Sequence, residues 1–218
     1  MSGKTPLGRI DNVFTDLELD SITRYLGSSL PLYGGSDFPG SVYPGHMLYE
    51  WFNKKFFVRI QELFGSELQC LFGGYLNELT PMALHSDYFR KLKGKPHSTF
   101  LIPISADHDV TLVNRVHTIV FNEEDMWTPN SEESNSFWKQ RDWRKNKSVK
   151  ENNALQYFDQ YLSHNTKENL ECLTVQSIFQ WQLGSILYWD SRLLHCSDNF
   201  TTNGIQSKQA LVVHTYVL

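Results

Sequence analysis

Six short runs of β-branched and aromatic residues constrain the fold of this chain more than any other feature of its sequence. Glycine, proline, asparagine or aspartate separates each run from the next, which is typical of strands joined by turns. Strands that follow one another in this way favour an antiparallel sandwich or barrel. The predicted strands are Leu68–Leu79, Ser98–Ile104, Val110–Phe121, Leu173–Trp181, Ser185–Trp189 and Gln209–Val217.

Two helical patterns precede the strands. Thr15–Leu26 begins with Thr15 and Glu18 at the spacing of a capping box, and its apolar residues recur at helical intervals. Tyr49–Phe64 carries an apolar stripe and is followed by Gly65, a residue that favours the end of a helix. The stripe consists of Tyr49, Phe52, Phe56, Ile60 and Leu63. We therefore predict a mainly β protein with N-terminal helices packed against its strands.

The interval from about Glu123 to Asn169 interrupts the strand pattern. It is polar and mixed in charge, yet it contains Trp127, Trp138 and Trp143. Near its end, Leu155, Phe158 and Leu162 are spaced to form one helical face. We interpret the interval as a partly helical insertion in a single domain spanning residues 1–218. A lid over a site and a packed surface subdomain are equally compatible with this sequence.

Composition limits the classes of protein to consider. The 218 residues are 40% hydrophobic, enough for one well-packed core, and the net charge of −4 lacks the basic footprint of a nucleic-acid binder. The three cysteines, Cys70, Cys172 and Cys196, are odd in number and widely spaced, which argues against a disulfide framework. No secretory signal or membrane-spanning run is present, so we expect a cytoplasmic protein without membrane contact.

The segment LHSDYF places an imidazole and a carboxylate two residues apart. On an extended strand, positions i and i+2 point to the same face, so His85 and Asp87 aim at one point. Burying both groups there is costly unless a partner compensates them. A divalent metal is one such partner, and an exposed strand that binds nothing is the alternative.

The C-terminal segment GSILYWDSRLLHCSDNF supplies a third candidate ligand. His195 follows the predicted strand Ser185–Trp189 by a short step. Two histidines and one carboxylate form the facial triad that holds Fe(II) and leaves other coordination positions open. Paired cysteines, which would indicate structural zinc, are missing from the sequence. We therefore predict that His85, Asp87 and His195 bind a metal, whereas a hydrogen-bonded core histidine is the alternative for His195.

A cation follows on the last predicted strand. Lys208 shares one strand face with Ala210, Val212 and His214. A buried lysine requires an anionic partner, and a dicarboxylate cosubstrate would supply one if this strand neighbours the strand that leads to His195. An exposed strand start is the alternative role for Lys208. Arg192 is either a substitute anion binder or a member of a surface ion pair.

A second acidic and imidazole cluster, Asp107-His108-Asp109, lies within SADHDV. Adjacent acids flank one histidine, a combination that also occurs at metal sites. The setting between two predicted strands indicates a polar turn instead.

The motifs together resemble the Fe(II)/2-oxoglutarate-dependent dioxygenase superfamily, in particular its phytanoyl-CoA hydroxylase and prolyl hydroxylase branches. YLNELTPMALHSDYF followed by PHSTFLIPIS is similar to the first half of the family pattern. GSILYWDSRLLHCSDN followed by KQALVVHTYV is similar to the second half. The resemblance does not cover the insertion.

The resemblance implies a double-stranded β-helix core, the cupin-like jelly roll, with iron bound by His85, Asp87 and His195. It implies that Lys208 pairs with the distal carboxylate of 2-oxoglutarate and that Tyr75 hydrogen-bonds this cosubstrate. The implied activity uses O2 to hydroxylate a small-molecule or peptide substrate and releases succinate and CO2. Two alternatives stay open: a cupin-like hydrolase or isomerase that uses a metal without 2-oxoglutarate, and a non-catalytic binding module on the same fold.

Overall fold

The computed structural model describes residues 7–21, 40–43, 56–87, 95–124 and 152–217. Within these residues nine strands form two antiparallel sheets. The strands are β1 (Gly8–Ile10), β2 (Gly40–Tyr43), β3 (Leu68–Glu78), β4 (Lys95–Ala106), β5 (His117–Glu124), β6 (Val175–Gln180), β7 (Ile186–Asp190), β8 (Leu193–Ser197) and β9 (Lys208–Val217). The larger sheet has the order β1-β7-β4-β9-β3-β2, and the smaller has the order β6-β5-β8.

Helical segments are short in the described part of the chain. Residues 16–21 are helical, and the other segments are Val58–Phe64 (α), Val110–Arg115 (3-10), Ala154–Tyr157 (3-10), Phe158–Leu162 (π), Lys167–Leu170 (α) and Phe200–Asn203 (3-10). Among the residues described, none of these helices is long and apolar enough to cross a bilayer.

Both predicted N-terminal helices are confirmed over the parts that the structure describes. The capping box is formed, because the Thr15 amide donates to Glu18 Oε2 over 2.8 Å and the Glu18 amide donates to Thr15 Oγ1 over 3.3 Å. Gly65 ends the second helix with a φ of 127°. Residues 22–26 and 49–55 of the two predictions lie outside the described residues.

The buried stripe of the second helix differs from the prediction at its last position. Leu63 is 46% exposed, and Phe64 packs against the core instead. The contacts follow Phe56, Ile60 and Phe64, which lie four residues apart on one helical face. Including Leu63 in the stripe was therefore wrong.

Apolar side chains alternate along the strands and sort into three clusters. The cluster between the two sheets includes Leu101 and Leu187 of the larger sheet and Val120 of the smaller sheet. A second cluster joins the outer face of the larger sheet to the N-terminal helices, and a third covers the outer face of the smaller sheet. Each buried large side chain contributes roughly 1.5–3 kcal/mol to folding. The prediction of a mainly β protein with N-terminal helices is confirmed.

Two strand predictions need correction. The first half of the predicted strand Val110–Phe121 is a 3-10 helix, because the Asp109 carboxylate caps it by accepting from the Thr111 amide over 2.8 Å. His195 follows β7 by a short step, as predicted, but it also lies inside a strand of its own, β8, which was not predicted. A two-residue turn at 191–192 separates β7 from β8 and carries the chain from the larger sheet to the smaller.

The described end of the insertion packs against the smaller sheet. Ala154, Leu162 and Leu170 are fully buried against Ile119 of β5 and Leu194 of β8. The predicted helical face is only partly correct, since Leu155 is 43% exposed. The three insertion tryptophans lie outside the described residues, so the lid interpretation and the single-domain assignment stay predictions.

The cluster Asp107-His108-Asp109 forms the polar turn that its sequence predicts. Asp107 and His108 have φ values of 50° and 59°, which lie in the left-handed region that turns use. Asp107 Oδ1 accepts hydrogen bonds from the Gln206 and Ser207 amides over 2.8 and 2.7 Å. The carboxylate therefore joins two loops of the fold.

Gly184 lies where an added side chain would clash with the backbone. Its φ is 77°, and a Cβ placed on it would lie 2.5 Å from the Phe14 carbonyl oxygen. Gly184→Ala therefore adds a backbone clash to left-handed strain of about 1–3 kcal/mol. Gly204→Ala is the matched control, because Gly204 has a φ of 78° and no heavy atom within 4 Å of the added Cβ. Chemical denaturation should show the larger loss of stability for Gly184→Ala, and equal losses would contradict the clash.

Candidate metal centre

The backbone brings the HxD segment against the strand of the distal histidine. The His85 amide donates to the His195 carbonyl over 3.0 Å, and the His195 amide donates to the His85 carbonyl over 2.8 Å. The Asp87 amide donates to the Ser191 carbonyl over 3.0 Å. These three bonds fix residues that are about a hundred positions apart in the sequence.

The three predicted ligand side chains converge. His195 Nε2 lies 3.2 Å from Asp87 Oδ2, and His85 Nε2 lies 3.8 Å from Asp87 Oδ1. The centroids of the two imidazole rings are 4.2 Å apart. One donor atom from each residue lies within 4.8 Å of the other two, a spacing that a single metal ion can span. His195 is buried, whereas His85 and Asp87 are half-buried.

Backbone carbonyls orient both imidazole rings. His85 Nδ1 lies 2.8 Å from the Ala83 carbonyl oxygen, and His195 Nδ1 lies 3.0 Å from the Leu193 carbonyl oxygen. Because a carbonyl oxygen only accepts, each Nδ1 carries the hydrogen and donates it. Each neutral ring then presents its Nε2 lone pair to the centre, as a metal-ligating histidine does.

The protonation states of the ligands are set by burial and by one another. Burial, assisted by the nearby His195 ring, lowers the pKa of His85 to about 4. Burial alone would raise the pKa of Asp87, but the His195 and His214 rings hold that pKa far below its usual range. Asp87 also raises the pKa of His195 against the opposing effect of burial. Protonation of His195 therefore competes with the binding of a metal ion at this centre.

Two further residues hold the carboxylate in place. Thr99 Oγ1 donates to Asp87 Oδ2 over 2.7 Å. His214 Nδ1 lies 3.2 Å from Thr99 Oγ1 and 3.7 Å from Asp87 Oδ2. Thr99 and His214 are paired across β4 and β9, so the larger sheet fixes the Asp87 rotamer. The sequence analysis did not identify Thr99. Its position on a predicted strand shortly after the HxD could have pointed to it.

Two buried donors lie beside the centre. Trp189, on β7, and Ser191, in the turn after β7, are both at least nine-tenths buried. The Trp189 ring packs 4.9 Å from the His195 ring, centroid to centroid. Among the residues that the structure describes, Trp189 Nε1 and Ser191 Oγ have no hydrogen-bond partner. A ligand carrying acceptor oxygens would satisfy both groups, whose desolvation is otherwise uncompensated.

Lys208 is buried on the inner face of β9, where its side chain is 1% exposed. Its Nζ lies 3.3 Å from Glu78 Oε2, and it packs against the rings of Trp181 and Phe200 at 4.5 and 5.5 Å from their centroids. The same Glu78 oxygen accepts from the Ser197 hydroxyl. The anion that a buried Lys208 requires is thus supplied by the chain itself, and sequence reasoning missed Glu78.

The strand of Lys208 does not neighbour the strand that leads to His195. In the larger sheet β4 lies between β9 and β7, and His195 itself lies on β8 of the smaller sheet. Glu78 bridges the gap, since it contacts Ser197 on β8 and Lys208 on β9. Ser197 shares the inward face of β8 with His195.

Tyr75 and Arg192, the other two candidate residues for the cosubstrate, have contacts within the chain itself. Tyr75 and Glu78 lie three residues apart on β3 and therefore point to opposite faces, and Tyr75 packs in the cluster under the N-terminal helices. The role of Tyr75 toward the cosubstrate stays a prediction. Arg192 donates to both oxygens of Asp190 over 3.0 and 2.7 Å and lies 3.5 Å from Glu124, with its side chain 42% exposed. Arg192 thus forms a surface ion pair.

Solved structures similar to this chain include enzymes described as non-heme and alpha-ketoglutarate-dependent. The epimerase SnoN of nogalamycin biosynthesis, in complex with Fe3+, alpha ketoglutarate and nogalamycin RO, matches with a TM-score of 0.61 at 11% identity, over 98% of this chain and 80% of that one. The carbocyclase SnoK matches with a TM-score of 0.60 at 13% identity, over 98% and 81%. HygX from Streptomyces hygroscopicus, with nickel, 2-oxoglutarate and hygromycin B bound, matches with a TM-score of 0.54 at 13% identity, over 98% and 83%.

The chain has the jelly-roll fold of the 2-oxoglutarate-dependent iron enzymes. The predicted double-stranded β-helix core is thereby confirmed. No protein-family model and no curated protein sequence matches the chain significantly. At identities of 11–13% the structural likeness defines the fold of this jelly-roll chain, and the chemistry has to be inferred from its own residues.

Those residues fit a facial iron site. Two imidazole nitrogens and one carboxylate match the donor set that binds non-haem Fe(II) and leaves other positions open. The carbonyl partners of both Nδ1 atoms and the Thr99 hydroxyl on Asp87 supply the outer contacts that such ligands require. All three cysteines are free, and none belongs to the group of candidate ligands.

Proposed function

We propose that this chain is a non-haem Fe(II)- and 2-oxoglutarate-dependent dioxygenase that hydroxylates an organic substrate. The observation that carries the proposal is the convergence of His85, Asp87 and His195 on one point of a jelly-roll interior. Iron and 2-oxoglutarate, when bound, supply the activation of O2 and the oxidation of a C–H bond to an alcohol, with succinate and CO2 released.

The residues of the chain have distinct roles in this proposal. His85, Asp87 and His195 hold the iron, and Thr99 keeps Asp87 oriented by donating to Oδ2. Lys208 provides the positive charge for the distal carboxylate of 2-oxoglutarate at the end of the inner face of β9. The apolar side chains between the sheets exclude water from the reacting atoms, which strengthens each of these electrostatic contacts.

The unpartnered donors Trp189 and Ser191 would bind acceptor oxygens of the cosubstrate or the substrate. We propose a small-molecule or peptide substrate, and the small molecules named for the SnoN and HygX structures, nogalamycin RO and hygromycin B, support this choice. The similar structures include an epimerase and a carbocyclase, so enzymes with this fold catalyse more than one kind of reaction. For this chain we propose hydroxylation.

One observation favours a second candidate, a metal-dependent hydrolase or isomerase that does not use 2-oxoglutarate. Lys208 is already neutralised by Glu78, and a site without a dicarboxylate cosubstrate would keep that pair permanently. Release of succinate distinguishes the two candidates, since only the dioxygenase converts 2-oxoglutarate to succinate.

The proposal predicts a visible charge-transfer band when 2-oxoglutarate is added anaerobically to the Fe(II)-loaded protein. The band arises because the keto acid chelates iron through positions that the three protein ligands leave open. Zn(II)-loaded protein is the control, because its filled d shell gives no such band. Succinate release is then assayed in air against a panel of metabolites and peptides. Folded, Fe(II)-loaded protein with neither the band nor succinate release would contradict the proposal.

A further inference from the structure

Glu78 makes the contacts that the distal carboxylate of the cosubstrate would make. Its Oε2 atom receives a hydrogen bond from the Ser197 hydroxyl and lies within ion-pair distance of Lys208 Nζ. An ammonium group and a hydroxyl converging on one carboxylate oxygen form a complete anion site. The side chain of Glu78 is almost entirely buried, as is that of Lys208, so bulk water does not compete for either group.

Glu78 and Lys208 offset each other's charge before any ligand enters. Glu78 and Lys208 are directly opposite each other in the β3–β9 register, and the two aromatic rings against Lys208 are uncharged. A second carboxylate brought to Lys208 would leave a net negative charge in a buried site, which is strongly unfavourable. A dicarboxylate therefore binds here only if Glu78 withdraws from Lys208.

We infer that Glu78 is an internal competitor of the cosubstrate and sets the affinity of the site for 2-oxo dicarboxylic acids. This inference rests on the proposed function and deepens it. In the ligand-free chain Glu78 holds Lys208 and Ser197, and in the bound state the distal carboxylate of 2-oxoglutarate takes over both groups. An unopposed Lys208 would make the site bind a dicarboxylate more tightly than a monocarboxylate. Glu78 reduces this difference in affinity.

The test compares two ligands that differ only at the distal end. 2-Oxoglutarate carries the distal carboxylate, and 2-oxopentanoate has a methyl group there. Calorimetry on the Zn(II)-loaded protein measures both affinities without turnover. In Glu78→Gln the competing charge is gone, and we expect 2-oxoglutarate to bind about tenfold to a hundredfold more tightly, the range that one charge-assisted hydrogen bond provides. The affinity for 2-oxopentanoate should change by less than about twofold.

A second measurement does not depend on the folding of a variant. In the wild-type chain, the preference for 2-oxoglutarate over 2-oxopentanoate should be below about tenfold, because Glu78 offsets the charge of Lys208. A wild-type preference above about a hundredfold would overturn the inference, as would equal or weaker 2-oxoglutarate binding by folded Glu78→Gln.

Failure of this inference is distinguishable from failure of the proposed function. If wild type and Glu78→Gln bind 2-oxoglutarate with the same affinity, Glu78 is not a competitor while the dioxygenase proposal stands. If neither chain binds 2-oxoglutarate although both bind Zn(II), the cosubstrate assignment and the inference both fail. In Glu78→Gln/Lys208→Met, where both charges are absent, 2-oxoglutarate should lose any advantage over 2-oxopentanoate.

Discussion

Replacing Lys208 by methionine should lower the free energy of unfolding by about 3–5 kcal/mol, because it leaves the Glu78 carboxylate buried without its counter-charge. Methionine is long enough to keep contact with the Trp181 and Phe200 rings, so the effect isolates the charge from the packing. Chemical denaturation of the metal-free protein measures the loss.

The double variant Glu78→Gln/Lys208→Met is the matched control for that experiment. Removing both charges eliminates the uncompensated carboxylate, so most of the lost stability should return. Arg9→Met provides a surface comparison, since both side chains of its ion pair with Asp11 are about a third exposed or more, and such a pair is worth roughly 0–1 kcal/mol. Equal effects of Lys208→Met and Arg9→Met would show that Lys208 is not the buried half of an ion pair.

The second large effect is expected at Asp87. Asp87→Asn keeps the size of the side chain but removes the charge that a divalent cation pairs with, and it supplies a poorer donor atom. We expect affinity for Fe(II) or Zn(II) to fall by more than about a hundredfold, beyond the 10- to 100-fold that loss of an outer contact costs. Anaerobic titration of the apo protein with either metal ion measures this affinity.

Two variants serve as controls for the loss of metal affinity in Asp87→Asn. Thr99→Val removes only the hydroxyl that donates to Asp87 Oδ2, and a decrease within about 10- to 100-fold is expected. His108→Ala changes the exposed acidic turn that resembles a metal site in sequence, and it should leave metal affinity unchanged. Undiminished binding by Asp87→Asn would place the metal elsewhere in the chain.

The sequence alone predicted those features of the structure that depend on residues close together in the chain. The capping box at Thr15 and Glu18 and the turn at Asp107 follow from hydrogen bonds within a few positions. β8 was missed because its five residues lie only two residues after β7, so no run of turn residues marks the change from one sheet to the other. That boundary depends on pairing with β5, some seventy positions earlier.

The candidate metal site likewise contains residues that local sequence identifies and residues that only the folded chain reveals. His85 and Asp87 were identifiable because their two-residue spacing carries geometric meaning on an extended chain. Glu78 was not, because its significance comes from Lys208, which lies opposite it only after β3 and β9 have paired. Tyr75 was chosen by its residue type and its position before the HxD, and the face of β3 on which it lies follows only from the strand register.

The reciprocal main-chain bonds between His85 and His195 have a consequence for how the centre is loaded. The polypeptide itself positions both histidines, and the Ala83 and Leu193 carbonyls orient their rings, so a metal ion that bound here would have little of the chain left to organise. Under the proposed function, exchange of one divalent ion for another should then leave the backbone around the site unchanged. Selection among divalent metals would depend on their supply and on the donor atoms more than on the fold.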